Sequence, residues 1–284
     1  MPSTALLKLF DITKTKSKRN KLSQSKKVDI HDLYEKSVQN VEHEIEFMQE
    51  TYMNLNGKSA YIYREDFCGT ALSSYQWIKQ GENFEAIAID NDSSILDWSI
   101  KNRLNKLNAS ELKRISMIES DVNQVNAKKS DVLAAFNFSY FTFKTRKELG
   151  LYFKNTYDSL KNDGLLFLDL FGGSEAYQEL EERTEHQRFT YVWKQNNFYP
   201  LTSFLDCSIS FEFPDGTTIQ DAFTYHWRLW TAPEIRELLL ESGYKKVMFF
   251  WEGEDEEGEG NGEFFHEDKG EPDLSWIAYV VAEK

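Results

Sequence analysis

The stretch Tyr61–Ser74, YIYREDFCGTALSS, decides the fold of this chain of 284 residues. A β-branched and aromatic run leads into two carboxylates, Glu65 and Asp66, and then to a single glycine, Gly69. This order is typical of a buried strand that turns into a helix, and in an open parallel sheet ligands bind at that turn. Glycine there lets the backbone approach a ligand because it has no Cβ. The stretch is therefore either a cofactor loop or a plain strand-to-helix turn.

The rest of the chain alternates between predicted helices and strands. Apolar residues at helical spacing predict a helix within His31–Gly57. Continuous apolar runs predict buried strands. After the strand in Ser59–Asp66, these runs are Phe84–Asp90, Arg114–Asp121, Ser130–Tyr140, Leu165–Gly173, Lys245–Gly253 and Ser275–Lys284. Strands that alternate with helices form βαβ units, so we expect an α/β fold with a Rossmann-like, doubly wound, mostly parallel seven-stranded sheet.

Two segments break this alternation. Gln187–Trp230 alternates in hydrophobicity and contains the turn signals NNFYP and PDG, which predict three antiparallel strands inserted in the α/β domain. Glu252–Asp273 carries eleven acidic residues and one lysine, and self-repulsion predicts a solvated, flexible loop there. A metal site or a site for a basic partner is the alternative for this acidic segment.

The N-terminal segment Met1–Lys27 has the opposite charge, with eight Lys or Arg residues and one Asp. Its basic, Ser-rich composition loosely resembles an organellar transit peptide, and it lacks the apolar core of a secretory signal. We interpret it as a basic, flexible tail. Residues 28–284 then form one domain that carries the antiparallel insertion and the acidic loop.

Composition restricts the partners and the compartment. The net charge of −14 argues against a nucleic-acid partner, and no run approaches the roughly 18–20 apolar residues that span a bilayer. The two cysteines, Cys68 and Cys207, are too few for a disulfide framework or a metal cluster. We therefore expect a small-molecule partner, no nucleic acid, no membrane, no metal and a reducing, cytoplasmic location.

A second carboxylate favours the cofactor loop. Asp90 follows Gly69 by 21 residues and ends the second predicted strand, a spacing that suits a carboxylate bound to ribose hydroxyls. The turn after the first strand lacks the Gly-x-Gly-x-x-Gly fingerprint of dinucleotide sites, and the chain has no complete phosphate-loop motif. The sequence thus predicts a nucleoside site without a pyrophosphate cradle.

Four motifs carry a resemblance to a known family. EDFCGTA, AIAIDND, IESDVNQ and AAFNFSY, in this order and spacing, resemble the successive motifs of class I S-adenosylmethionine-dependent methyltransferases. The resemblance covers roughly Tyr34 to the C-terminus. The antiparallel insertion resembles that of small-molecule N-methyltransferases of the amino-sugar and glycine type. LYEKSVQN followed by REDFCGTA is similar to a bacterial group of methyltransferase-domain proteins.

The family's motif Glu/Asp-x-Gly-x-Gly-x-Gly can be placed residue by residue. Its acid falls on Glu65, and its glycines fall on Phe67, Gly69 and Ala71. Ala71 is small, whereas Phe67 departs from the pattern. The resemblance implies S-adenosylmethionine as cofactor. It assigns cofactor binding to Tyr34 and Arg64; to Glu65, Phe67, Cys68, Gly69 and Thr70 around the methionine; to Asp90 on the ribose; to Asn91, Ile95, Asp121 and Val122 around the adenine; and to Asn137 and Phe138 on the methyl-donor side.

Each of these carboxylates has a structural alternative. Glu65 or Asp66 could cap the helix that follows, because anions are favoured at a helix N-terminus. Asp90 and Asp121 could be turn residues. Cys68 near a helix N-terminus is a candidate nucleophile, but no partner base is evident and a small packing residue is the favoured interpretation.

The resemblance also implies the reaction. Methyl transfer from a sulfonium is an in-line displacement in which the enzyme aligns the reactants and excludes water. We expect a small-molecule acceptor with a nitrogen or oxygen nucleophile. His226 is the candidate general base, and Asp169 the second catalytic candidate. The substrate candidates are Tyr140, Tyr191, Trp193 and Arg228, through aromatic contacts or an anion pair, and structural roles are the alternative for each.

Two other functions remain open at this point. An NAD-type oxidoreductase would use the same fold, although the missing glycine fingerprint argues against it. A nucleoside-binding scaffold without turnover is the second alternative, since Phe67 stands at a glycine position of the motif.

Overall fold

The computed structural model describes residues 23–254 and 260–284. Most of the predicted basic tail and part of the acidic loop lie outside these ranges. Gln24–Lys26, at the end of the predicted tail, form a short 3-10 helix. The Gln24 amide donates to the Asp215 carboxylate at 2.8 Å, so this part of the tail is bound to the inserted segment. No helix in the described ranges is both long and apolar enough to cross a membrane.

The described residues form helices and strands in the predicted alternation. The helices are α1 Ile30–Val38, α2 Val41–Asn56, α3 Leu72–Lys79, α4 Ser93–Asn102, α5 Ala109–Leu112, α6 Arg146–Ser159 and α7 Ala232–Glu241. The strands are β1 Ile62–Asp66, β2 Glu85–Asp90, β3 Ile115–Glu119, β4 Ser130–Ala135, β5 Leu160–Gly172, β6 Leu180–His186, β7 Phe189–Tyr199, β8 Phe204–Glu212, β9 Thr218–Arg228, β10 Lys246–Glu254, β11 Gly260–His266 and β12 Trp276–Glu283.

The main sheet has the order β11-β10-β12-β5-β4-β1-β2-β3. Strands β1 to β5 are mutually parallel, and β12 runs antiparallel between β5 and β10. Helices cover both faces: α6 and α7 pack on one core cluster, and α2 and α3 on the other. The Rossmann-like, doubly wound fold is thereby confirmed, with eight strands rather than the predicted seven.

The additional strand, β11, lies within the acidic segment that was predicted to be a loop. It pairs antiparallel with β10. Its Phe264 ring stacks on Tyr279 at 4.2 Å between ring centroids and also contacts Phe47. Aromatic burial against the sheet outweighs the like-charge repulsion on which the loop prediction rested.

The insertion is a separate antiparallel sheet of four strands, in the order β6-β7-β8-β9. It begins at Leu180 instead of Gln187, because the charged strand β6, LEERTEH, has no apolar alternation that would predict a strand. Arg183 pairs with Glu181 on the same strand and with Glu212 on β8, along the outer face of the sheet. We call this unit the small sheet.

Arg64 belongs to a buried hydrogen-bond network on one face of the main sheet. Its guanidinium donates to Asp66 (2.7 Å), the Ser159 hydroxyl (2.9 Å) and the Val122 carbonyl (3.1 Å). The Tyr152 hydroxyl donates to the same Asp66 at 3.1 Å. The network joins β1 to α6, and the Arg64 side chain is only 2% exposed. The prediction that the Arg64 side chain contacts a cofactor is therefore wrong.

Removal of Asp66 leaves a buried, unpaired guanidinium. Asp66→Ala should lower the free energy of unfolding by about 3–5 kcal/mol in urea denaturation. The control is Asp158→Ala, which breaks the exposed Lys154–Asp158 pair and should leave stability nearly unchanged. A loss of unfolding free energy in Asp66→Ala no larger than that in Asp158→Ala would contradict this account.

Candidate active site

The turn between β1 and α3 has an unusual backbone. Phe67, Gly69 and Ala71 all adopt the left-handed conformation, with φ of 57°, 50° and 54°. These are the three positions at which the resembled motif has glycine. For a non-glycine residue this conformation costs roughly 1–2 kcal/mol. The chain thus keeps the shape of a glycine-rich turn with only one glycine.

The side chains at the two non-glycine positions pack away from the open side of the turn. The Phe67 ring lies 5.8 Å from Tyr152 and 6.1 Å from Phe143, centroid to centroid, beside α6. Ala71 is fully buried in a small cluster with Cys68 and Leu96. Packing of the partly buried Phe67 ring and burial of Ala71 offset the cost of the left-handed backbone.

The open side of the turn has room and unused hydrogen-bonding capacity. A Cβ added to Gly69 would meet no atom within 4 Å. Thr70 is 5% exposed, and its Oγ1 has no hydrogen-bond partner among the described residues. The Gly69 amide donates to Asp90 at 2.8 Å, which places this carboxylate beside the turn. A ligand with hydroxyl groups fits this arrangement.

The neighbouring strand ends hold the other predicted cofactor residues. Asp90 and Asn91 follow one another at the end of β2, and Ile95 lies in the first turn of α4. Asp121 and Val122 follow β3, where the exposed Asp121 accepts from the Asn123 amide at 2.8 Å in a local turn. The structure therefore gathers these residues at one edge of the sheet, and their contacts with a ligand stay predictions.

Glu65 faces the opposite side of β1 from Arg64. It is buried and accepts the backbone amide of Ser74, in the first turn of α3, at 2.9 Å. Burial raises its pKa to about 7. This geometry favours the helix-capping interpretation of Glu65. Burial also raises the pKa of the Cys68 thiol well above its usual range, so Cys68 is not an activated nucleophile.

A cavity of about 400 Å³ lies between the carboxyl edge of the main sheet and the small sheet. Aromatic side chains of the small sheet, Tyr191, Trp193, Tyr225 and Trp227, form one wall. Tyr34 of α1 also lines it, close to Phe223. The carboxylates on its walls are Glu44, Asp169, Glu175, Glu182 and Glu252. Among the described residues that line the cavity there is no lysine or arginine.

Asp169 lies near the end of β5, at the inner wall of this cavity. Its carboxylate accepts the amides of Asn137 (2.6 Å) and Phe138 (2.9 Å), which are both left-handed. Burial raises the pKa of Asp169 to about 7. The Tyr140 hydroxyl donates to the Asp169 carbonyl at 2.8 Å, and Tyr140 is fully buried behind the cavity. Tyr140 therefore holds Asp169 in place, and its predicted contact with substrate is wrong.

Glu44 is a cavity residue that sequence reasoning missed. It is 7% exposed on α2, and burial, then repulsion from Asp169 and Glu65, raises its pKa to about 8. The sequence does contain a signal for it. Glu44 lies on the same helix face as the buried Val41 and Met48, where a charged residue is unusual.

Two more predicted site residues, besides Tyr140, lie outside the cavity. His226 is exposed and forms a hydrogen bond with Asp206. Side chains alternate along β9, so His226 points outward while its neighbours Tyr225 and Trp227 point into the cavity. Arg228, on the same outer face, donates to Glu234 at 3.0 Å and to the Lys144 carbonyl. The predictions of His226 as general base and Arg228 as substrate ligand are therefore wrong. Tyr191 and Trp193 line the cavity, and their contact with a substrate stays a prediction.

The buried carboxyls predict how stability depends on pH. The folded pKa values of Glu44, Glu65 and Asp169 exceed their ordinary values of 4.5, 4.5 and 3.8, so the folded state binds these protons more tightly. Their contribution is fully present below about pH 4 and is lost as pH rises through about 8. The free energy of unfolding of the ligand-free protein should fall over this range in urea titrations at each pH.

Glu44→Gln should flatten this fall and should be more stable than the unmodified protein at pH 8. Glu46→Gln, on the exposed side of the same helix, is the control and should follow the unmodified protein. A steeper fall in Glu44→Gln would contradict the assignment.

No protein-family model and no curated protein matches the chain. Solved structures do. An S-adenosylmethionine-dependent methyltransferase from Clostridium acetobutylicum has a TM-score of 0.66 at 15% identity, over 89% of this chain and 97% of that chain. The amino pentose methyltransferase CalS10 from Micromonospora echinaspora has 0.62 at 10%, over 90% and 97%. The sugar N-methyltransferase KedS8 from a Streptoalloteichus species has 0.60 at 12%, over 100% and 98%. At these identities the similarity shows a shared fold.

Proposed function

We propose that this protein transfers the methyl group of S-adenosylmethionine to an amine nitrogen of a small molecule. The observation that carries the proposal is the left-handed turn at Phe67, Gly69 and Ala71, which has Asp90 beside it and an acidic, aromatic cavity at the same sheet edge. The shared fold supports it, because the proteins compared above are named as methyltransferases, one with bound S-adenosylmethionine.

The residues at the sheet edge fit this cofactor. The open space at Gly69 and the unpartnered Thr70 hydroxyl would hold the methionine part, and Asp90 the ribose. Asn91, Ile95, Asp121 and Val122 would surround the adenine. When bound, S-adenosylmethionine supplies an electrophilic methyl group on a sulfonium: the nitrogen–carbon bond forms as the carbon–sulfur bond breaks, and the electron pair stays on sulfur.

The cavity favours nitrogen over oxygen as the acceptor. Carboxylates without a lysine or arginine among the described lining residues attract a cationic amine, and the faces of Trp193 and Tyr225 bind cations as well. An amine reacts only after it loses a proton. Asp169, with its pKa raised to about 7, is placed to accept that proton near neutral pH. The aromatic walls exclude water from the reacting atoms.

The dinucleotide alternative meets an electrostatic obstacle. In dinucleotide-binding folds the pyrophosphate lies at the N-terminus of the helix after the first strand. Here the Glu65 carboxylate accepts the Ser74 amide at that helix terminus. A second anion at this place would lose a hydrogen-bond donor and would be repelled, so an NAD-type oxidoreductase is disfavoured.

Gly69→Ala tests the cofactor site. The new methyl group meets no protein atom but fills the space over the turn, so the dissociation constant for S-adenosylmethionine in calorimetry should rise at least about tenfold, or about 1.4 kcal/mol. Gly216→Ala is the matched control: Gly216 is also left-handed and also has open space, but lies in the turn between β8 and β9.

Both variants should lose similar stability through backbone strain, and only Gly69→Ala should lose affinity. Equal affinity in the two variants, or tight binding of NAD by the unmodified protein, would overturn the cofactor assignment. Cofactor binding without transfer of labelled methyl to any amine would favour the scaffold alternative.

Asp169→Asn tests the acceptor side. The substrate is the first amine that is found to accept labelled methyl. For this amine, kcat/KM of Asp169→Asn should be lower than that of the unmodified protein by on the order of 100-fold, because the proton acceptor is lost. In the unmodified protein, kcat/KM should rise as pH increases through about 7, and this rise should be absent in Asp169→Asn. His226→Ala, on the outer face, should keep full activity; a loss there that matched Asp169→Asn would contradict the site. Thermal unfolding of both variants checks that they fold.

A further inference from the structure

The wall of the cavity that the small sheet forms carries polar side chains as well. In the ladder between β6 and β7, Glu182 lies directly opposite Trp193, and Leu180 directly opposite Gln195. Residues opposite one another point to the same face, and so do residues two apart. Glu182, Trp193 and Gln195 therefore share the inner face of the small sheet, and all three line the cavity.

Gln195 has an unused acceptor at this place. Its side chain is 6% exposed, and its Nε2 donates to the Glu175 carbonyl at 3.2 Å. Its Oε1 has no hydrogen-bond partner among the described residues. A buried amide oxygen without a donor is unfavourable, so its position on the cavity wall points to a donor on the bound molecule.

We propose that the methyl acceptor carries a second protonated nitrogen, bound by Glu182, Trp193 and Gln195, so that the substrate is a small diamine or polyamine. The proposal rests on the proposed function and names the substrate class of the same cavity. An ammonium group has three N–H donors and no acceptor. Gln195 Oε1 and the Glu182 carboxylate accept from it, and the face of Trp193 lies beside them.

The charges around the cavity agree with a dication. One set of carboxylates, Asp169 and Glu44, lies at the inner wall, and a second, Glu175 and Glu182, lies at the small sheet. Glu182 is exposed on β6 and has no cationic partner among the described residues; desolvation, and then the charge of Glu175, raises its pKa. A second ammonium supplies that partner. A phosphate or carboxylate on the acceptor would meet only like charges among these groups.

The test uses the full-length protein saturated with S-adenosylhomocysteine, so that no turnover occurs. Calorimetry compares putrescine and cadaverine with butylamine, pentylamine and γ-aminobutyrate. We expect at least one diamine to bind tenfold or more tightly than the monoamine of equal length, and γ-aminobutyrate to bind more weakly than butylamine.

The variants locate the second subsite. Glu182→Gln combined with Gln195→Leu should reduce diamine affinity to that of the monoamine and leave monoamine affinity unchanged. Glu185→Gln, on the outer face of the same strand, is the matched control and should bind the diamine as the unmodified protein does. Unchanged monoamine binding also shows that the double variant is folded.

The possible failures are distinct. If S-adenosylhomocysteine does not bind, the proposed function itself fails. If it binds but diamines bind no better than monoamines, or nothing in the panel binds, the dication inference is overturned and methyl transfer to another amine stands. Diamine preference that survives in the double variant likewise overturns the assigned subsite.

Discussion

The site depends on the backbone of five residues between β1 and α3. Three left-handed residues there turn the chain so that the Gly69 amide meets Asp90 and the side above Gly69 stays open. Two of the three are not glycine: the partly buried Phe67 packs against Tyr152, and Ala71 is buried on the far side of the turn. Side-chain packing thus supports a backbone shape that elsewhere is supplied by glycine.

The buried carboxyls are the second constraint. Glu44, Glu65 and Asp169 have raised pKa values chiefly because the protein buries them. On the other face of β1, the buried Asp66 has the Arg64 guanidinium within 2.7 Å, and burial still raises the pKa of Asp66. Unpaired carboxyls in a cavity cost stability, and such a cost is typical of functional sites. A cationic substrate would relieve it.

The sequence predicted the parallel sheet because its strands are continuous apolar runs, and it predicted the edge that holds Gly69 and Asp90 because carboxyl ends of parallel strands meet there. It failed at β6, whose residues are mostly charged, and at β11, which lies inside the acidic segment and packs through Phe264. It also failed at His226 and Arg228, since an inward or outward direction depends on the register of β9. Glu44 could be found only by noting a charge on an apolar helix face.

A crystal structure with S-adenosylhomocysteine tests the central claim most directly. The account predicts the homocysteine part above Gly69 and Thr70, the ribose hydroxyls on Asp90 and the sulfur facing the cavity beside Asp169. A ligand bound elsewhere, or a pyrophosphate-bearing cofactor seated at the N-terminus of α3, would contradict it.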